Sequence, residues 1–189
     1  MKFVFSLVFI VCVALGFSQE DKTSLPYYEI PEYSETYTAG TVASRMIDAL
    51  GFRFYWATHE LSDADLSYQP NKEGRTTLET MIHIFELSNV IVNSTLKQPN
   101  KSLMDSLSYE ELRQKTLLNL KTASDILKKS DDISQYKIIF GEQEIPFWNQ
   151  INGPIADAIW HCGQIVIYRR SSGNPINPKV NHFTGKIRS

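Results

Sequence analysis

Residues 153–173 read Gly153-Pro-Ile-Ala-Asp157-Ala-Ile-Trp-His161-Cys-Gly-Gln164-Ile-Val-Ile-Tyr-Arg169-Arg170-Ser-Ser-Gly173, a helix with both ends marked. Proline suits the first turn, where its missing N–H has no partner to lose. Gly173, after two serines, suits the turn that stops a helix. Ile155, Ala158, Ile159, Cys162, Ile165, Val166 and Ile167 make the segment apolar around much of its circumference, which predicts a buried helix.

Three further helices precede it. From about Thr41, the residues Met46, Leu50, Phe54, Ala57 and Leu61 recur at three- and four-residue steps, an apolar stripe that ends near Ser62-Asp63. The following stretch, through Leu66 and Tyr68-Gln-Pro70, reads as a connector. Thr76-Thr-Leu-Glu79 has the spacing of a capping box, in which a hydroxyl and a carboxylate satisfy orphan backbone donors reciprocally. It opens a second helix to about Leu96, with Met81, Phe85, Leu87 and Ile91 apolar. Ser108-Tyr-Glu-Glu111 repeats the device for a third helix, in which Leu112, Leu117, Leu118, Leu120 and Ile126 face inward and the charged run Lys128 to Asp132 marks the end. Between Tyr136 and Phe147 a short β-hairpin or extended excursion is expected, with Gly141 at its turn and Pro146 barring a central strand. The expected fold class is therefore all-α: a four-helix bundle over residues 41–178, with that excursion before the last helix and a C-terminal tail over 179–189. The segment Asn174-Pro-Ile-Asn-Pro-Lys179 is expected to lie over the surface.

The N-terminal end predicts a compartment. Lys2 precedes an apolar and small-residue run from Phe3 to Phe17, then the polar Ser18-Gln-Glu-Asp21. This is the pattern of a secretory signal peptide, residues 1–18, and export to the periplasm or medium is expected. The run falls short of the roughly 20 apolar residues that span a bilayer, so no stable membrane anchor is expected after cleavage. Residues 19–40 mix prolines, tyrosines and acids without a period and form an irregular lead-in. Roughly 170 residues then remain, enough for one domain. The 19 basic and 21 acidic residues nearly balance and form no basic block, so nucleic acid is not an expected partner. A homodimer stays open. Cys12 leaves with the leader, and Cys162 reads as a small buried hydrophobe.

Two side chains on the last helix carry the chemical signal. Asp157 and His161 stand four residues apart, so both project from nearly the same face, and a carboxylate and an imidazole there can share one cation. A hydrogen-bonded Asp–His pair explains the same spacing. His83, on the second helix among Met81, Ile82, Ile84 and Phe85, is a third candidate or a satisfied core histidine. Bundles build metal sites from facing helices, and three protein ligands with an open position describe a catalytic site. Gln164, three residues beyond His161, is placed to orient a ligand or to make a packing hydrogen bond. Trp148, Trp160 and Tyr168 read as core residues or pocket walls, and Tyr55, Trp56 and His59 form a second possible wall. His59 has no partner at ligand spacing, and His182 falls in the tail.

Asp157 to Ile176, with its His-x-Gly-Gln, Arg-Arg and Gly-x-Pro features, resembles the final helix of the DinB/YfiT-like superfamily, and Glu79 to Phe85 resembles its second helix. Phe147-Trp-x-x-Ile-Asn-Gly-Pro154 is similar to the exported, Bacteroidetes-type branch. The resemblance runs from about Thr41 to Pro178. It implies a four-helix bundle holding a divalent metal, often nickel or zinc, on three histidines. His83 and His161 match that pattern, and Asp157 stands where the family has the first histidine of the His-x3-His pair on its last helix; a carboxylate oxygen also binds zinc. A metal-dependent hydrolase or transferase acting on an unknown small molecule is the implied activity, with no separate general base in view. Some relatives use low-molecular-weight thiols, which are cytoplasmic, so export argues against that branch. The alternative is a non-catalytic envelope module that binds a ligand or partner without metal.

Overall fold

The computed structural model describes residues 25–101 and 106–189, and the expected signal peptide lies outside them. Local caps set most helix starts. α1 (Ala39–Ala57) opens on a capping box in which Thr38 and Thr41 satisfy each other's backbone N–H groups. The connector expected after it contains α2 (Asp63–Ser67), opened by a Ser62–Asp65 box. α3 (Thr77–Thr95) and α4 (Tyr109–Lys128) start at the two boxes legible in sequence, Thr76–Glu79 and Ser108–Glu111. β1 (Ile138–Phe140) and β2 (Gln143–Ile145) then pair antiparallel around Gly141, whose φ of +58° is the left-handed conformation glycine tolerates. Pro146 follows directly and ends the second strand.

A single helical turn, α5 (Trp148–Gln150), runs into a π-helical turn over Ile151–Ile155 and then into α6 (Ala156–Ser171). Pro154 was expected in the first turn of the last helix. It lies instead inside the π turn, beside Gly153, whose ψ of −109° breaks the helical path. Proline removes one helical hydrogen bond and glycine accepts the non-helical backbone, so the pair makes the kink.

The molecule is mostly helical, as expected. α1 packs on α4, α4 on α3, α3 on α6 and α6 on α1, so the four long helices close a cycle around one core. Ile47, Leu50 and Phe54 of α1, Met81, Ile84 and Ile91 of α3, Leu117, Leu120 and Leu127 of α4, and Ile155, Cys162 and Ile165 from the C-terminal segment fill it. Each such side chain contributes about 1.5–3 kcal/mol relative to exposure.

Three expectations are corrected here. The first helix begins at Ala39 and ends at Ala57, short of Ser62-Asp63: the backbone turns left-handed at Glu60 (φ +55°), and Arg169 arriving from α6 caps the freed carbonyls of Trp56 and Ala57. α6 is buried on one face only: Ala158, Cys162, Ile165 and Arg169 point inward, whereas Trp160 and Ile167 are exposed. Two neighbouring helices cover only part of its circumference. Leu118 likewise faces solvent, one residue off the inward stripe of α4.

The chain ends pack together. β3 (Val180–Asn181) and β4 (Lys186–Ile187) form a second antiparallel pair, so the expected tail is a hairpin. Ile30 of the lead-in, Phe52, Trp56 and Val180 make a small second cluster beneath it. The Ile30 N–H donates to the Gly185 carbonyl, and Lys186 pairs with Glu29 and Glu32. No helix among the described residues is long and apolar enough to cross a membrane.

Candidate metal centre

The stripe of α6 beside its buried face carries Asp157, His161, Gln164 and Tyr168, one residue per turn or nearly so. That stripe flanks α3, where His83 sits one residue before the buried Ile84. His83 therefore stands at the groove edge and is not a core histidine; its side chain is 24% exposed, against 13% for His161 and 44% for Asp157.

Packing of α3 on α6 brings the three together across 74 residues of sequence. Nε2 of His83 lies 3.2 Å from Oδ2 of Asp157, and Nε2 of His161 lies 3.4 Å from Oδ1 of the same carboxylate. The two imidazole rings meet edge to face with centroids 4.7 Å apart. One donor atom from each residue falls within 4.8 Å of the others, so the group could hold a metal ion.

Ligands 2.0–2.1 Å from zinc lie about 3.3–3.4 Å from one another. Each imidazole nitrogen stands near that separation from a different oxygen of the Asp157 carboxylate, and with one oxygen taken the three donor atoms lie within 4.8 Å, so the side chains would draw in to close on a small ion. Orientation fits as well. Nδ1 of His161 stands 2.8 Å from Oε1 of Gln164, and Nδ1 of His83 stands 3.6 Å from a carboxylate oxygen of Glu86. In the tautomer that donates Nδ1–H to Gln164, the Nε2 lone pair of His161 faces the Asp157 carboxylate. Two lone pairs at that distance repel unless a proton or a cation stands between them. An outer partner on the far nitrogen is also how ligating histidines are oriented. The Glu86 contact is too long for a hydrogen bond and acts as a nearby charge.

Glu86 is the residue sequence reading missed. Its signal was present: His83 and Glu86 stand three apart, the same spacing as His161 and Gln164. His59 and His182 stay outside the centre. His59 packs on Tyr55 and Trp56, and His182 edges onto Phe52. Trp148 and Trp160 are neither core nor enclosed, at 74% and 72% exposure. Tyr168 packs against Tyr68. Burial pushes the Cys162 thiol up to about 12, so it is an inert packing residue, as expected.

Arg169 and the residues beyond α6 hold this stripe in register. The guanidinium donates to the carbonyls of Trp56, Ala57 and Asn174 and to Oδ1 of Asn174. A cation thus closes the C-terminal end of α1, where the helix dipole favours it. Asp65 of α2 accepts from Asn174 and Ser172 and ties the far end of α6 to α2.

No family model, curated protein or solved structure matches the chain.

Proposed function

We propose that the chain is an exported member of the DinB/YfiT-like group, a four-helix bundle in which His83, Asp157 and His161 hold one divalent ion, zinc or nickel. The closed cycle of α1, α4, α3 and α6 supports the bundle, and the convergence of three donor atoms within 4.8 Å from two helices carries the metal reading. A divalent ion supplies Lewis acidity, polarising a substrate oxygen and lowering the pKa of a ligand thiol or water. The reaction class that suits this chemistry is a hydrolase or transferase acting on a small molecule.

The chain's own residues have distinct tasks. His83 and His161 offer Nε2, Asp157 offers carboxylate oxygen, and Gln164 holds the His161 ring by its Nδ1. The half-exposed Asp157 leaves the solvent side of the group open for substrate. Elemental analysis of protein purified without a histidine tag tests the reading. About one divalent ion per chain is expected, with the ion lost in His83→Ala and His161→Ala while both variants keep their helical content. Wild-type protein that stays metal-free after repletion with zinc and nickel would refute it and leave the non-catalytic ligand-binding module.

A further inference from the structure

A second polar centre lies away from the His83 group, on α1 and the lead-in. Asp48 stands inside α1 at 6% exposure, and its Oδ1 accepts from both Tyr27 Oη at 3.1 Å and Ser124 Oγ at 2.6 Å. Ser124 also shares a 2.8 Å hydrogen bond with Ser44. Oδ2 takes no hydrogen bond among the described residues, and no Lys, Arg or His nitrogen among them comes within 4 Å of the carboxylate. Two hydroxyl donors would be satisfied equally by an amide oxygen, so the fold asks for an acceptor here and not for a charge. A buried anion without a partner is costly.

The same residue lines a cavity of about 390 Å³, within the size range of small-molecule sites. Its other walls sort by chemistry. Val42, Met46 and Ala49 are apolar, whereas Arg45 and Lys128 bring two cations. Arg45 is held in place, its NH1 donating to the Pro31 carbonyl at 2.8 Å and its guanidinium lying 4.7 Å over the Tyr33 ring. Glu32, also on the wall, is already paired with Lys186. A deep anion, cations at the wall and an apolar side between them complement a small zwitterion. Simple amines would meet the two cations without compensation, and simple acids would meet Asp48.

We propose that this cavity binds a free amino acid, with its ammonium group on Asp48, its carboxylate toward Arg45 and Lys128, and its side chain against Val42 and Met46. Burial raises the Asp48 carboxyl above its ordinary value, with hydrogen bonds from Ser124 and Tyr27 and the charges of Arg45 and Lys121 opposing; an ammonium partner would favour the ionised form.

Isothermal titration calorimetry with each of the twenty common amino acids tests the proposal on the protein as purified. At least one is expected to bind, and its analogues lacking the amine or the carboxylate are each expected to bind at least tenfold more weakly. Amino acids also chelate divalent ions, so a parallel titration in EDTA separates the two sites; affinity is expected to be unchanged there. Asp48→Asn, which keeps an acceptor for Tyr27 and Ser124, is expected to cost at least tenfold in affinity. Arg45→Met gives an independent reading, with an expected loss of the preference for the carboxylate. Failure of all twenty to bind, equal binding of either analogue, binding abolished by EDTA, or unaltered affinity in Asp48→Asn would each overturn it.

Discussion

Neutralising Asp65 should loosen the end of the helix that carries Asp157 and His161. This carboxylate accepts from the Ser62 backbone and hydroxyl, the Ser172 hydroxyl and the Asn174 amide. Burial alone would raise its pKa, but these donors, led by Asn174 and Ser172, more than offset that and bring it from 3.8 to about 2. Because the folded value lies below the unfolded one, the contribution is complete above about pH 4 and is lost as pH falls through 2. The gap between the two values is worth about 2 kcal/mol at neutral pH. Asp65→Asn should therefore unfold at pH 7 with a midpoint roughly 4–8 °C below wild type. Urea denaturation of both proteins from pH 7 down to 2.5 isolates the effect, because the remaining carboxylates titrate alike in each. The difference should be about 2 kcal/mol at pH 7 and shrink steadily below pH 4. A difference that stays constant across this range would show that the donors do not favour the charged form, and the account of Asp65 would fail.

Two further outcomes probe the centre and the core. Gln164→Leu removes the partner of His161 Nδ1 without touching a ligand, and metal affinity measured by competition with a chromogenic chelator should fall about 10- to 100-fold with helical content unchanged. Gly40→Ala should destabilise by at least about 1 kcal/mol in denaturant, because a Cβ there would fall 2.3 Å and 2.0 Å from the carbonyl oxygens of Leu127 and Ser130, so α1 and α4 must move apart.

Much of the fold was legible because its signals are local. Thr76 with Glu79 and Ser108 with Glu111 marked two helix starts to within a residue, since a capping box uses only four consecutive residues. Gly141 marked a turn for the same reason. The short α2 went unseen because five residues present no period to read, although its Ser62–Asp65 box was written in the connector. The tail hairpin escaped because two-residue strands carry almost no pattern and are held by Ile30 and Phe52 from distant parts of the chain.

The candidate site divides along the same line. A helical repeat of 3.6 residues is enough to place Asp157, His161 and Gln164 on one stripe, and to set Glu86 one turn from His83. Repeat alone does not say what a stripe faces. Tertiary packing brought His83 to Asp157 across 74 residues, left Trp160 in solvent between the buried Ala158 and Cys162, and used Arg169 to close a helix 112 residues upstream. It also set Ser124 against Asp48, a contact 76 residues apart that no local spacing encodes. Backbone geometry along one helix is determined by neighbours in sequence, whereas the partner across a groove is chosen by how all four helices fill their common core.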